Sequence, residues 1–274
     1  MSGTITSILE LERLERDIFR GNAIETTLVR TFGGQVASQS LAAAGRTTEP
    51  EFVVHSLHGY FLRPGDPSIP TVYLVDRIRD GHSFVTRRVR AVQDGRAIFT
   101  MAASFHHGDE GIEHQDTIPD VPDPLSLPHV TDGGDPEQLW IAREWPQWDL
   151  RFVPRDRVEP LGGSAGRQQL WFRSLEELPD DPMFHVCTLA YLSDISLLNT
   201  ARAAHPPGQL LQLASLDHAM WFLRPFRADD WLLYDQLAPS SAEGRSLTQG
   251  RIFDRSGTLV AAVTQEGLTR HLHE

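Results

Sequence analysis

The chain has 274 residues, 40% hydrophobic and 23% charged, a balance that demands a packed core in one large or two smaller domains and excludes disorder. All 25 basic residues are arginine, so lysine Schiff-base chemistry, lysine-held pyridoxal phosphate and a Walker A phosphate loop are excluded. The single cysteine, Cys187, excludes an internal disulfide and multi-cysteine metal centres, and the formal net charge of −12 argues against a nucleic-acid partner.

In chain order, Ile8, Leu11, Leu14 and Ile18 predict an amphipathic helix at the N-terminus. Met1–Arg13 has no apolar leader, and no apolar run approaches the ~18 residues of a membrane span, so no membrane partner is expected. A β-prone stretch, Thr26–Arg30, precedes a helix over Gly34–Ala44 that Gly45 stops. Strands are predicted over Val53–Leu62, Thr71–Ile78, Phe84–Val92 and Ala97–Phe105, with Asp94-Gly95 as the last hairpin turn. Gly108–Pro136, rich in Asp, Pro, Gly and His, reads as a surface linker. Beyond it come an alternating strand, Gln169–Arg173, a helix from about Thr188 to Ala204 before Pro206-Pro207, and four more strands with a turn at Ser256-Gly257.

The two runs are copies of each other. Phe61-Leu62-Arg63-Pro64 recurs as Phe222-Leu223-Arg224-Pro225; Gly81-His82-Ser83-Phe84 parallels Gly244-Arg245-Ser246-Leu247; Asp94-Gly95 parallels Ser256-Gly257. The offset stays between 161 and 163 residues, which one chance tetrapeptide does not explain. A helix followed by a multi-stranded antiparallel sheet is an α+β arrangement with the sheet wrapped on the helix. The order β–α–β–β–β–β is that of a hotdog, and two copies predict a tandem, or double, hotdog: residues 1–108, a Pro/Asp-rich linker at 109–136, and residues 137–274.

Several constellations invite chemistry. Gly162-Gly163-Ser164-Ala165-Gly166 matches G-x-S-x-G, but charged Arg155–Leu161 precedes it and a strand pattern succeeds it, where a nucleophile elbow needs a strand before and a helix after. It reads as a Gly/Ser loop. His106, His107, Asp109, Glu110 and His114 are zinc-ligand types at no common ligand spacing, so no metal is expected there. Asp194 lies in an apolar helical stretch, where a carboxylate must be paired or hydrogen-bonded. Ser215 and Gln265 lie on predicted strands of the second copy, at places where the first copy has Val54 and Ala103. Three polar residues concentrated in one copy mark either a buried network or a site.

The blocks Thr31–Val36, His58–Gly65, Asp80–Phe84, Leu189–Asp194, Leu216–Phe222 and Gln265–Gly267 together resemble the acyl-CoA thioesterase II (TesB-like) family of double-hotdog enzymes, over about residues 7–270. The resemblance implies hydrolysis of fatty acyl-CoA to free fatty acid and coenzyme A by an activated water, with no covalent acyl-enzyme and no cofactor. It places the family's Asp, Thr-or-Ser and Gln on catalytic residues Asp194, Ser215 and Gln265, with serine where the family often has threonine. His58 reads as a structural histidine, and Arg63, Arg87, Arg88 and Arg90 as either coenzyme A contacts or salt-bridge partners. A non-catalytic acyl-CoA binder, a serine esterase using Ser164, and a dehydratase built on the neighbours Asp217 and His218 are the competing readings. A homo-oligomer, dimer or tetramer, and a cytoplasmic location are also expected.

Overall fold

The computed structural model describes residues 3–132, 136–159, 166–205 and 209–272. The first half contains α1 (Ile5–Leu9), β1 (Leu11–Glu15), β2 (Ile18–Gly21), α2 (Gly33–Gly45), β3 (Val53–Phe61), β4 (Thr71–Asp80), β5 (Phe84–Gln93) and β6 (Arg96–His106). The second contains α3 (Pro136–Glu144), β7 (Trp148–Phe152), β8 (Arg167–Ser174), α4 (Pro182–Leu192), a 3₁₀ segment (Leu198–Ala204), β9 (Leu211–Ser215), β10 (Asp217–Phe222), β11 (Leu232–Ala242), β12 (Arg245–Asp254) and β13 (Leu259–His271). Among the described residues no helix is long and apolar enough to cross a membrane.

The strands form one antiparallel sheet in the order β1-β2-β4-β5-β6-β3-β10-β13-β12-β11-β8-β7, with β9 paired to β13. Taken inward from either end, the two halves have the same order. They meet at β3 and β10, where His58 stands opposite Ala219, the residue 161 positions later that the repeat makes its counterpart. Tyr60 pairs with Asp217, and Ser56 pairs with Trp221, so each pairing has its mirror. A pseudo-twofold axis therefore passes between His58 and Ala219, and the double hotdog is one continuous sheet. The two β3-like strands differ in one respect. β3 shifts register between Val54 and Ser56, whereas its counterpart is broken at Leu216 into β9 and β10.

Helices α2 and α4 pack side by side on the inner face. The contact is close because Gly34 has no side chain: a Cβ there would lie 2.2 Å from the carbonyl oxygen of Tyr191. Leu41, Leu57, Phe99, Leu189, Tyr191 and Met220 are all fully buried in the shared core, each contributing roughly 1.5–3 kcal/mol by removal from water. Alternation sends His58, Tyr60 and Trp221 to the exposed outer face. Between β6 and α3 the chain crosses the second half and is tied down there. Trp171 Nε1 donates to the Pro122 carbonyl at 3.0 Å, and Arg251 and Arg255 pair with Asp116 and Asp123.

Three local expectations are corrected. The apolar spacing through Ile18 gives only the short α1, followed by the β1–β2 hairpin. Asp17 (φ 59) makes the turn, β2 pairs with β4, and Leu14 stays 43% exposed. Pairing at the sheet edge outweighs local periodicity here. Thr26–Arg30 forms no strand, since β2 already has β1 and β4 as neighbours. The segment is pinned instead by Thr26 and Thr27 hydroxyls donating to Glu144. Helix α4 begins earlier and ends earlier than predicted. Asp181 caps it by accepting the Met183 N–H at 2.9 Å, Pro182 fits the first turn, and the helix stops at Leu192. Asp194 therefore sits in the turn beyond α4 and not within a helix.

Candidate active site

A cavity of about 800 Å³ opens between the two halves. The first half supplies Phe61, Ile98 and Phe99 to its wall, and the second Trp140, Trp145 and Leu198. Asp194 and Ser215 line it. Gln265, on β13, is fully buried behind them.

The three residues meet at one atom. Gln265 Nε2 donates to Asp194 Oδ1 at 2.6 Å, and Ser215 Oγ donates to the same oxygen at 3.2 Å. The backbone N–H of Gly34, in the first turn of α2, also donates to the Asp194 carboxylate. Helix α2 has no side-chain cap at Phe32, and the Asp194 carboxylate takes that place at its first turn, where the helix dipole favours negative charge. Burial nevertheless dominates, and the Asp194 carboxyl is pushed up to about 6 against the opposing hydrogen bonds from Gln265, Ser215 and Gly34. Gln265 Oε1 is buried with no partner among the described residues. The result is a carboxylate poised near neutrality, with an amide oxygen beside it able to accept one more hydrogen bond.

Sheet register explains why the trio exists only once. Ser215 pairs with Gly267 as Val54 pairs with Phe105, and Gln265 takes the position of Ala103. Two further residues of the site are not marked by polarity or charge in the sequence. A Cβ at Gly33 would lie 2.6 Å from Asp194 Oδ2 and 2.9 Å from the Phe61 ring, so glycine is required where the carboxylate crosses the helix start. Gly34 is required by Tyr191 and supplies the amide. Two adjacent glycines opening a helix, against their propensity, are the signal that could have found them.

The other candidates fall elsewhere. His58 is exposed on the outer face of the sheet, edge-on to Trp221 at 5.1 Å. Asp217 and His218 are successive strand residues and point to opposite faces: Asp217 accepts the Glu266 N–H at 2.7 Å, and His218 is buried against Ser193. The paired acid and imidazole that a dehydratase needs are not formed. Arg87 is buried and bonded to Thr47 and Asp80, and Arg88 pairs with Asp76. Arg63 lines the cavity, along with Arg30 and Arg202, which no sequence motif singles out. His106 stacks on Phe84 and bonds Asp109 at 3.0 Å. Residues 162–165 of the G-x-S-x-G stretch lie outside the described residues, and the chain from Arg167 onward is a strand.

Two family models match, "Acyl-CoA thioesterase N-terminal domain" over residues 25–106 and "Acyl-CoA thioesterase" over residues 142–268. Acyl-coenzyme A thioesterase 8 of Mus musculus is 37% identical over 97% of this chain and 88% of its own length. Acyl-CoA thioesterase 2 of Haemophilus influenzae is 35% identical over 96% of each. The crystal structure of the acyl-CoA thioesterase II TesB2 from Mycobacterium marinum superposes with a TM-score of 0.89 at 55% identity, covering 98% of this chain and 99% of that one. The chain belongs to the acyl-CoA thioesterase family.

Proposed function

We propose that the chain hydrolyses fatty acyl-CoA to free fatty acid and coenzyme A through a water activated by Asp194, with no covalent acyl-enzyme. The observation that carries this reading is the convergence of Gln265 Nε2 and Ser215 Oγ on Asp194 Oδ1, beside the unpartnered Gln265 Oε1. Ser215 donates its proton to a carboxylate, and among the described residues no histidine is bonded to it to raise its nucleophilicity. Water is the nucleophile. Asp194 takes its proton, while Ser215 and Gln265 fix its position. The dipole of α2 and the first-turn amides that Asp194 does not take stabilise the negative charge that develops on the carbonyl oxygen. A thiol with a pKa of roughly 8–9 leaves as the thiolate with little acid assistance, and the proton on Asp194 is then released to solvent.

The residues that line the cavity suit a thioester substrate. Aromatic and aliphatic side chains offer the acyl chain an apolar wall, and Arg30, Arg63 and Arg202 offer the coenzyme A phosphates cationic partners. Tyr60 and Trp221 are exposed, 62% and 37%, near the middle of the outer sheet face. This supports a homo-oligomer, a dimer or tetramer, which light scattering would test. A cytoplasmic location and a division at 1–108, 109–136 and 137–274 complete the proposal.

The deciding experiment is free-thiol release from a series of short to long acyl-CoAs by the wild type and Asp194→Asn. Turnover that collapses in the variant supports the reading. Tight binding without turnover in the wild type replaces it with a non-catalytic acyl-CoA binder.

A further inference from the structure

The turn that carries Asp194 is held by side chains that do not line the cavity. Ser193, the residue before it, is fully buried, and all of its polar atoms are engaged. Its N–H donates to the Leu189 carbonyl at 2.9 Å, and its own carbonyl accepts from the Tyr234 hydroxyl at 3.0 Å. Its Oγ lies 3.0 Å from the Ala190 carbonyl and 2.8 Å from His218 Nε2. The Met220 sulfur, 3.3 Å away, is the weaker acceptor for the hydroxyl proton.

Proton bookkeeping fixes the imidazole. A hydroxyl has one proton, and the Ala190 carbonyl takes it. Ser193 Oγ must then accept from His218, so Nε2 carries the hydrogen and Nδ1 is a bare lone pair. Nδ1 is buried and has no partner among the described residues. The opposite tautomer would bury an unpaired N–H and cost Ser193 its bond to Ala190.

The repeat shows where this device belongs. Tyr234 has a counterpart in the first half, Tyr73, which donates to Gln39 of α2, so a buried tyrosine anchors the helix of each half. His218 has none: its counterpart is Leu57. A polar residue replaces an apolar one at this register, as Ser215 replaces Val54 and Gln265 replaces Ala103, and it does so in the half that holds Asp194.

We propose that His218 is a positioning residue, which through Ser193 Oγ fixes the turn on which Asp194 is mounted and so aims the carboxylate without touching substrate. The inference rests on the reading of Asp194 as the base.

Steady-state kinetics of His218→Leu, His218→Gln, Ser193→Ala, the His218→Leu/Ser193→Ala double variant and Asp194→Asn test it. His218→Leu and Ser193→Ala should each lower kcat about 10–100-fold, as expected for misplacement of a reacting group. KM should stay within about twofold, because ground-state binding is untouched. The double variant should be no worse than the poorer single one, since both remove the same bond. His218→Gln, which keeps a donor, should recover most of the rate. Wild-type kcat in folded His218→Leu, a loss expressed through KM, or losses that multiply in the double variant would overturn the proposal. Should His218→Leu not fold, the contrast between Ser193→Ala and His218→Gln decides. An active Asp194→Asn removes the underlying reading itself, whereas an inactive Asp194→Asn beside an unimpaired His218→Leu removes only the role of His218.

Discussion

Ser215 occupies in the second half of the sheet the register that Val54 occupies in the first, and only Ser215 bonds a carboxylate, Asp194 Oδ1 at 3.2 Å. Of two equivalent places in one sheet, one thus carries a hydroxyl and the other two methyl groups. Ser215→Val, which installs the first-half residue, should lower kcat by up to about 100-fold, the scale of a misplaced reacting group. Ser215→Thr keeps the hydroxyl and should retain activity. Thiol-release assays on folded proteins compare the three, and an undiminished Ser215→Val would separate Ser215 from the chemistry.

The pH profile should carry the signature of Asp194. With its carboxyl raised to about 6 by burial, the proposed base is protonated at acid pH, and kcat should climb through that value to a plateau near neutrality. A flat profile between pH 5 and 7 would contradict this.

The same shift predicts a stability change of opposite sense. An unfolded aspartate titrates near ~3.9, so between that value and about 6 the folded chain holds the proton more tightly than the unfolded one does. The stabilisation from this group is fully present below the unfolded pKa and is lost as pH rises through the folded one. Asp194→Asn, a permanent mimic of the protonated form, should therefore gain roughly 2–3 kcal/mol over wild type near pH 7.5 and little near pH 4. Denaturant melts at the two pH values give the difference. An equal effect at both would show that the carboxylate is not destabilised by its burial.

Gly33 and Gly34 should respond differently to alanine. At Gly33 the new methyl would meet Asp194 Oδ2 and the Phe61 ring, both side chains, so Gly33→Ala should lose activity while folding survives. At Gly34 it would meet the Tyr191 carbonyl at 2.2 Å, a backbone atom that cannot yield without parting α2 from α4. Gly34→Ala should be destabilised by about 1–3 kcal/mol, the usual cost of an overpacked core. Thermal melts and assays run in parallel separate the two effects.

Ser164→Ala should leave the rate unchanged, and a serine-directed covalent reagent should fail to inhibit. Stoichiometric labelling with loss of activity would favour an acyl-enzyme.

The sheet was legible in the sequence because its strands are long, alternate cleanly and occur twice. The Phe-Leu-Arg-Pro blocks set the offset that the pairing of His58 with Ala219 reproduces. Asp194 stands out as a carboxylate in an apolar stretch, and Ser215 and Gln265 because polar residues replace apolar ones in a single copy. The features that escape a reading of the sequence depend on contacts between distant parts. The β1–β2 hairpin exists because β4 offers it an edge, and Thr26–Arg30 stays irregular because Glu144, over a hundred residues away, binds its threonines. Just past the end of α4, Ser193 is bonded by Tyr234 and His218, both from strands distant in sequence. The early start of α4 is written locally, in Asp181-Pro182, but the more apolar stretch downstream masks it.

The carboxylate comes from one half of the chain, and the helix start and glycine amide that meet it come from the other. Neither half holds the whole constellation, so the segment between β6 and α3 acts as a tether that fixes their stoichiometry at one to one. A protease cut between Gly108 and Pro122 would turn a unimolecular arrangement into a bimolecular one. The nicked protein would stay active while β3 and β10 remained paired, and after denaturation its recovery would depend on concentration, as that of the intact chain would not.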